Sequence, residues 1–522
     1  MMSERIKVLQ IGTSNWKERR SLPSQLEWFF VTPPNIKQVL AEIKEGPFFT
    51  KPKERKKFDV VFFTEFSGIE NIECLDNLVD AYRVIYVAGL SIKKGAVKQF
   101  LRKKMAWKVP AETQDKLLAE IATCFFEKQN GIKMAVKTIE VAATFTGNCS
   151  YQGNSALTLE GNFGEDFKPL AFWRNSLYVD PGKTLEIWPE YYKEGNCKLK
   201  LFFYETVNGS SDSQQASWSV TEDQLQSPLI IKGTHNNDSG TFLNVILYAQ
   251  GTGKISLGAL HYRWSRQGFG QFIPGGQRFA DKKRQEFLYY FDPGDLKPPL
   301  NVYFSGYRSL EGFEGYFMLK KMGAPFLLIS DPRLEGGAFY LGTDEFEGKI
   351  SNIIQAALTW LDFNNKQLIL SGISMGTFGA LYYGSLFQPH AIIVGKPLLN
   401  VGTIAINGKL LRPQDFDTAL DLLQLLLKTD SQSAAVKLNQ RFWDKFAFAD
   451  LSETTIAAAY MENDDYDRDA FQKMITGFPN NQVKIIGRGY VGRHNDNSPA
   501  IIKWFLAQYH YFLRNDFERN LL

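Results

Sequence analysis

The spacing of hydrophobic residues changes twice along the chain, and the three patterns predict three kinds of structure. In residues 1–135, short β-branched runs alternate with helix-compatible stretches such as NIECLDNLVDAY, and a helix is predicted near KLLAEIATCFFEKQ. The predicted strands are IKVLQIG, DVVFFT and VIYVAG. Strands that alternate with helices indicate a parallel sheet. We therefore predict an N-terminal α/β domain of Rossmann-like type over residues 1–135.

Residues 136–262 show short segments in which apolar and polar positions alternate, with no helical period. Gly, Asn, Asp and Ser separate these segments, as expected of turns. This pattern predicts a β-sandwich of jelly-roll type. Four aromatic residues are interpreted as half-buried core residues of the sandwich, with a carbohydrate-binding platform as the alternative. They are Trp173, Trp188, Tyr191 and Trp218.

From residue 263 to 522, apolar runs alternate again with longer amphipathic segments. Several runs are apolar throughout, which is typical of parallel strands covered by helices on both faces. The predicted strands are EFLYYFD, LNVYFSG, PFLLISD, KQLILSG, AIIVGKP, TIAAAYM and QVKIIGRG. The region is therefore predicted to be a second α/β domain, with its site at the carboxyl ends of the strands.

Composition and charge change this picture little. Of the 522 residues, 44% are hydrophobic and 22% are charged, which is typical of globular domains. The net charge of +4 carries no nucleic-acid signature, and the basic run KPKERKK at 51–57 is interpreted as a solvated loop, with contact to acidic lipid or an acidic partner as the alternative. The first residues lack the apolar core of a signal peptide, and no apolar run is long enough to span a bilayer. We therefore expect a cytoplasmic protein, with peripheral attachment to the inner face of the membrane as the alternative.

The segment GISMG at 372–376 lies between a predicted strand and a predicted helix and fits the pattern GxSxG. In this motif the glycines allow a turn so tight that the serine is pushed out above the sheet, as in α/β-hydrolases. Ser374 is therefore the candidate nucleophile, with a chance match as the alternative. The candidate oxyanion donors are the N–H of Met375 and an N–H from the loop after LNVYF, at Gly306 or Tyr307.

A serine hydroxyl needs a base, and His494 is the histidine that follows the last predicted strand, where the base of an α/β-hydrolase belongs. The acid should follow the preceding strand, where Asp464 is the first choice and Asp465 and Glu462 stay open. The order serine, acid, histidine is that of α/β-hydrolases. A structural histidine and a solvated acidic loop are the alternatives. The other histidines fall in the sandwich (His235, His261), after the elbow helix (His390) and in the final helix (His510).

No spacing of residues predicts a metal centre. The chain has no CxxC pair. An EF-hand loop that starts at Asp465 is rejected, because Ala470 stands where the glycine belongs and Thr476 where the bidentate glutamate belongs. We therefore predict no metal and no bound cofactor, and the sequence identifies no cofactor-binding residues.

Four segments of the C-terminal region resemble a known family. They are FSGYRSLEGFEGYFMLKKMGAPFLLISDPRLEGGAFYLG, SGISMGTFGALYYG, YMENDDYD and GRHNDNSP. They are similar to the second accessory secretory proteins of the accessory Sec system of Gram-positive bacteria. This resemblance implies a cytoplasmic protein that O-acetylates N-acetylglucosamine on a serine-rich repeat adhesin and helps to deliver that glycoprotein for export.

The resemblance also implies partners, namely the first and third accessory secretory proteins, the accessory Sec motor ATPase and the glycosylated adhesin. It implies catalytic roles for Ser374, Asp464 and His494, with the neighbouring carboxylates still open as the acid. The residues alone do not separate acetyl transfer from hydrolysis, because the outcome depends on whether an acceptor hydroxyl excludes water. Acetyl-CoA is the expected donor. The alternatives are a carbohydrate esterase and a non-catalytic scaffold of the export complex.

Overall fold

The computed structural model of the chain describes residues 5–38, 57–111, 114–207, 214–233, 240–411, 419–477 and 483–520. The chain divides into two compact units. One unit contains residues 1–128, 265–276 and 292–296, and the other contains residues 129–264, 277–291 and 297–522. Residues 51–56 of the basic run lie outside the described residues. Within the described part of the chain, no helix combines the length and the apolar character that a membrane span requires.

The N-terminal sheet is parallel, as predicted from the alternation of strands and helices. Its strands are β1 Ile6–Ile11, β2 Leu26–Val31, β3 Val60–Phe63, β4 Val84–Val87 and β5 Trp107–Val109. The helices of this region are Trp16–Arg19, Gly95–Lys103 and Gln114–Cys124. The strand order β2-β1-β3-β4-β5 is a doubly wound α/β arrangement. The hydrophobic pattern did not predict β2 and β5.

The segment NIECLDNLVDAY does not form the predicted helix and contains a short 3-10 turn at Ile72–Leu75. The Lys104 ammonium donates to the carbonyls of Asp76 and Val79 at 2.6 and 2.8 Å. The carbonyl of Leu78 accepts from the N–H of Phe58 at 2.8 Å. These donors take the place of the N–H groups that an α-helix would supply four residues later.

The middle sheet is antiparallel and is built on three long strands. Its strands are β6 Gly131–Met134, β7 Ile139–Val141, β8 Asn148–Gln152, β9 Ala156–Trp173, β10 Leu177–Val179, β11 Thr184–Val207, β12 Gln214–Thr221, β13 Leu229–Lys232 and β14 Thr241–Trp264. The pattern predicted shorter strands, but β11 and β14 each join two of them. The reason is that the glycines at the expected breaks pair across the sheet, as Gly195 does with Gly253. Both halves of β11 and β14 contribute side chains to one buried core.

The four aromatic candidates of the sandwich are core residues. Trp173 belongs to the buried hydrophobic cluster, and Tyr191 and Trp218 pack against that cluster. Trp188 is 4% exposed, and the guanidinium of Arg284 lies 3.7 Å from its ring centre. The interpretation as core residues is therefore confirmed.

The C-terminal sheet contains all seven predicted strands and one more, β15. Its strands are β15 Gln277–Ala280, β16 Glu286–Asp292, β17 Leu300–Phe304, β18 Phe326–Ser330, β19 Leu368–Ile373, β20 Ala391–Gly395, β21 Thr455–Met461 and β22 Lys484–Tyr490. The helices are Tyr316–Met322, Asp344–Leu361, Met375–Phe387, Val401–Leu411, Asp421–Leu427, Gln432–Ala447, Ala470–Thr476 and Ser498–Asn515.

The strand order of this sheet is β15-β16-β18-β17-β19-β20-β21-β22. Counted from β15, the order is 1-2-4-3-5-6-7-8, which is the order of α/β-hydrolases. The predicted α/β-hydrolase-like fold is therefore confirmed. The predicted domain 1–135 contains the N-terminal sheet together with β6 of the middle sheet, 136–262 contains most of the middle sheet and 263–522 contains the C-terminal sheet, whereas the second compact unit contains both later sheets. The three-domain division stays a prediction.

Candidate active site

The turn after β19 presents Ser374 at the carboxyl end of the sheet. Ser374 has φ 56° and ψ −122°, a conformation that is unusual for a non-glycine residue and is common at functional sites. A Cβ added at Gly372 or Gly376 would lie 2.3 or 2.0 Å from backbone atoms, so the turn requires glycine at both positions. Met375 begins the following helix, where its N–H has no helical carbonyl to bond. The segment thus has the geometry of a nucleophile elbow.

Ser374, His494 and Asp464 form one chain of hydrogen bonds. Ser374 Oγ lies 2.8 Å from His494 Nε2, and His494 Nδ1 lies 2.8 Å from Asp464 Oδ2. The three residues follow β19, β22 and β21, which are the positions used in the sequence argument. His494 is only 2% exposed and Asp464 6%. This arrangement allows the imidazole to take a proton from the serine while the carboxylate stabilises the imidazolium.

Asp464 is the carboxylate that contacts the imidazole. Its Oδ1 accepts hydrogen bonds from the N–H groups of Tyr466 and Asp467 at 2.8 and 3.1 Å. Burial alone raises the pKa of Asp464, but the hydrogen bond and charge of His494 and the two backbone donors lower it further than burial raises it. The pKa therefore lies below its ordinary value, and the carboxylate is ionised at neutral pH.

The two other candidate acids contact the backbone or a neighbouring strand. Asp465 Oδ1 accepts from the main-chain N–H of His494 at 3.0 Å, so it fixes the histidine loop. Glu462 places Oε1 against Gly489 of β22. These contacts favour Asp464 over both neighbours as the partner of the imidazole.

The other histidines of the described residues, His261, His390 and His510, are not at this site. His390 Nε2 lies 2.7 Å from Asp516 Oδ2. His510 lies in the last helix, and His235 lies outside the described residues. His261 is part of a separate buried cluster described below.

Two buried charged residues outside the predicted triad hold the surrounding loops. Lys396, directly after β20, donates from Nζ to Ser498 Oγ at 2.8 Å. Asp467 Oδ2 accepts from the N–H groups of Leu399 and Asn400, both at 2.7 Å. A charged residue immediately after an apolar strand, as in AIIVGKP, is the signal that could have identified Lys396.

The first peptide of the loop after β17 is held at both ends. The Tyr340 hydroxyl donates to the carbonyl of Ser305 at 2.5 Å. The N–H of Gly306 donates to Glu314 Oε2 at 2.7 Å. Of the two donors predicted in this loop, Gly306 is therefore engaged by Glu314, which favours Tyr307 as the oxyanion donor.

Comparison with known proteins identifies the family. The model of the family described as accessory Sec system GspB-transporter matches residues 6–519. The chain belongs to this family. An accessory Sec system protein of Staphylococcus aureus is 49% identical over 394 residues, which are 76% of this chain and 75% of that protein. One from Streptococcus gordonii is 36% identical over 518 residues, which are 99% of this chain and 100% of that protein.

A solved structure has the same fold as this chain over nearly its whole length. It is the Glycosylation Associate Protein (Gap123) complex from Streptococcus agalactiae, matched at 39% identity with a TM-score of 0.92. The match covers 99% of this chain and 100% of that chain. The resemblance to the accessory Sec family that the sequence motifs indicated is therefore confirmed.

This accessory Sec protein also contains a buried ionic cluster that the sequence argument missed. His261 Nδ1 lies 2.5 Å from Glu311 Oε1, and its Nε2 lies 3.0 Å from Glu190 Oε1. Arg263 donates from Nε to Glu311 Oε2 at 2.7 Å and also contacts Glu286. His261, Glu286 and Glu311 lie close enough together to hold a metal ion. However, the Arg263 guanidinium already bridges the two carboxylates.

His261 should make the folded accessory Sec protein less stable as the pH rises. Burial alone lowers the pKa of His261, but Glu311, Glu286 and Glu190 raise it from 6.5 to about 9. The imidazole is therefore protonated at neutral pH and pairs with these carboxylates. The protonated imidazole contributes about 3 kcal/mol to the free energy of unfolding. This contribution is complete below the unfolded pKa of 6.5 and is lost as the pH rises through the folded pKa of about 9.

Urea unfolding of wild type and His261→Gln at pH values from 6.5 to about 9 measures this dependence. The wild-type free energy of unfolding should fall across the range, and the fall should be smaller in the variant. Equal slopes for both proteins would contradict the assignment of the charge to His261.

Proposed function

We propose that this accessory Sec protein is an O-acetyltransferase that modifies N-acetylglucosamine on a serine-rich repeat adhesin, and that it is also a component of the export complex. The observation that carries the catalytic part is the chain of hydrogen bonds from Ser374 through His494 to Asp464. A non-catalytic scaffold has no need of a strained serine bonded to a buried imidazole. The export part is supported by the description of the family as a transporter.

In the proposed mechanism, Ser374 Oγ attacks the acetyl carbonyl of the donor while His494 Nε2 takes the hydroxyl proton. The proton then goes to the leaving group, and an acetyl-serine remains. A sugar hydroxyl attacks this ester, His494 accepts its proton, and the proton returns to Ser374 Oγ as the acetylated sugar leaves. Asp464 stabilises the imidazolium in both halves, and the N–H of Met375 stabilises the oxyanion.

We propose acetyl-CoA as the donor, because a serine nucleophile with a base and backbone oxyanion donors fits an activated acyl group. The proposed partners are the first and third accessory secretory proteins, the motor ATPase and the glycosylated adhesin. The match to a chain of the Gap123 complex supports a multi-component assembly. We propose a cytoplasmic location, with peripheral attachment to the membrane as the alternative.

Purified protein should acetylate a synthetic glycopeptide that carries N-acetylglucosamine when acetyl-CoA is supplied. Mass spectrometry of the glycopeptide measures the transferred group, and free acetate measured in the same reaction reports hydrolysis. Transfer is expected to exceed hydrolysis, because the acceptor hydroxyl must displace water from the acyl-enzyme. Release of acetate from acetylated glycan without any transfer would favour the carbohydrate esterase. The absence of both reactions, in the presence of the assembled partners, would favour the scaffold.

A further inference from the structure

The loop between β17 and the helix Tyr316–Met322, residues 305–315, is called the oxyanion loop below. Glu314 of this loop bonds back to its beginning, where Oε2 accepts the N–H of Gly306 at 2.7 Å. Burial and the neighbouring Glu314 carboxylate raise the pKa of Tyr303, which is buried in β17. Glu314 therefore links the end of β17 to the first peptide of the oxyanion loop.

This first peptide adjoins the strand that carries the nucleophile. Phe304 is opposite Gly372 in the parallel register of β17 and β19. A Cβ added at Gly306 would lie 3.0 Å from the carbonyl oxygen of Ile373, the residue before Ser374. Glu314 holds the peptide between Ser305 and Gly306. A rotation of this peptide would therefore change the surroundings of Ser374, and with them those of the acyl carbonyl that Ser374 attacks.

The side chains of the two candidate oxyanion donors, Tyr307 and Met375, pack against two adjacent glycines. Gly336 and Gly337 have φ of +101° and +106°. A Cβ at Gly336 would lie 1.8 Å from the Tyr307 ring, and one at Gly337 would lie 2.5 Å from Met375 Sδ. The side chains of Tyr307 and Met375 therefore lie next to each other on this turn.

The far end of the oxyanion loop is anchored on Gln129, just before β6, and on β14 of the middle sheet. Phe313 donates its N–H to Gln129 Oε1 at 2.7 Å and accepts from Gln129 Nε2 at 3.1 Å. The carboxylate of Glu311 accepts from Arg263 of β14 at 2.7 Å. Because Phe313 is fixed, the next residue, Glu314, begins from a rigid position and can hold Gly306 in turn.

We propose that Glu314 is a positioning residue for acyl transfer, which holds the peptide between Ser305 and Gly306 so that Tyr307 and Met375 present their N–H groups to the oxyanion. This inference rests on the proposed function only in requiring that Ser374 be the nucleophile. It holds whether the acyl group passes to a sugar or to water. For this role the side chain at position 314 must place a hydrogen-bond acceptor at the N–H of Gly306, but it does not need a negative charge.

The experiment measures how fast a fluorophosphonate probe modifies Ser374 in the full-length protein. In this reaction the serine oxygen bonds to phosphorus, fluoride leaves, and His494 takes the proton, so the rate depends on the base and on the oxyanion donors. Glu314→Ala and Glu314→Asp should slow the saturated rate by about tenfold to hundredfold, because neither side chain reaches Gly306. Glu314→Gln keeps an acceptor at the same reach and should stay close to the wild-type rate. The probe concentration at half-saturation should change little in all three variants.

Thermal unfolding of each variant shows whether it is folded. If Glu314→Ala does not fold, the comparison of the labelling rates of Glu314→Asp and Glu314→Gln decides the result. A wild-type rate or a faster one in Glu314→Ala or Glu314→Asp would overturn the proposal, since Glu314 would then be neutral or would block Gly306. A Glu314→Gln protein as slow as Glu314→Asp would also overturn it, because the charge would then matter. Labelling of wild type at Ser374 without any acetyl transfer would contradict the proposed function and leave the role of Glu314 standing. Wild type that is not labelled at Ser374 would overturn both.

Discussion

Replacement of Ser374 by alanine is expected to lower the rate of acyl transfer about a millionfold, because loss of the nucleophile in a serine triad removes the covalent route altogether. Ser374 Oγ lies in the strained elbow, 2.8 Å from His494 Nε2. Among the described contacts, no other hydroxyl is hydrogen-bonded to this nitrogen. The change removes a single oxygen from a half-buried position, so the fold should be retained.

Ser385→Ala is a matched control for this experiment. Ser385 lies in the helix that begins at the elbow, and its hydroxyl donates to the carbonyl of Tyr382 at 2.7 Å, three residues earlier. The control therefore removes one buried helical hydroxyl without touching the site, and full activity is expected. A loss of activity in Ser385→Ala comparable to that in Ser374→Ala would indicate damage to the helix.

Mass spectrometry of adhesin glycopeptides from cells that carry wild type, Ser374→Ala or Ser385→Ala gives the readout in the natural setting. We expect Ser374→Ala cells to export an under-acetylated adhesin, since the export role is proposed to depend on other surfaces. Normal acetylation in those cells would remove the support for Ser374 as the nucleophile. Failure of both acetylation and export would indicate that the two roles share this site.

The C-terminal fold could be predicted from the sequence because its strands carry a strong local signal. Runs such as TIAAAYM are apolar on both faces, and TIAAAYM forms β21 with the predicted bounds, Thr455–Met461. Once the strands are placed, the residues after β19 and β22 can be assigned to one edge of the sheet without coordinates. That is why the GxSxG motif could point to Ser374, and the position after the last strand to His494, as candidates for the same site.

The choice between Asp464 and Asp465 could not be made in this way. Both follow the same strand, and the turn that follows decides which carboxylate faces His494. In the structure, Asp464 Oδ1 caps the N–H groups of Tyr466 and Asp467, and this leaves Oδ2 for the imidazole. Such turns depend on contacts with other loops, and no periodic pattern encodes them.

Elements whose partners are distant in sequence were also missed. The helix predicted over NIECLDNLVDAY loses its carbonyl acceptors to Lys104, which lies 25 residues beyond Val79. The ionic cluster joins His261 to Glu311, 50 residues apart. Glu314 lies only eight residues from its partner Gly306, but the contact forms when an irregular loop closes on itself, which no periodic pattern predicts. Long-range polar contacts of this kind leave no spacing that a linear pattern can reveal.

Asp464→Asn is expected to lower the rate of acyl transfer about ten-thousandfold while the protein stays folded. The asparagine oxygen can still accept the N–H groups of Tyr466 and Asp467, so the turn is preserved. Its amide NH₂ would face His494 Nδ1 as a donor. That contact favours the tautomer in which Nε2 carries the proton, and such an imidazole cannot take a proton from Ser374.

The neighbouring carboxylates provide matched controls for Asp464→Asn. In Asp465→Asn the amide oxygen can still accept the main-chain N–H of His494, so the loop and most of the activity should be retained. Glu462→Gln should also be nearly neutral, because its side chain lies against Gly489. Steady-state kcat and KM for an acetyl ester, measured for all three variants, distinguish the residues. A larger loss of kcat in Asp465→Asn or Glu462→Gln than in Asp464→Asn would transfer the role of the acid to that residue, because each change removes one negative charge at nearly constant shape.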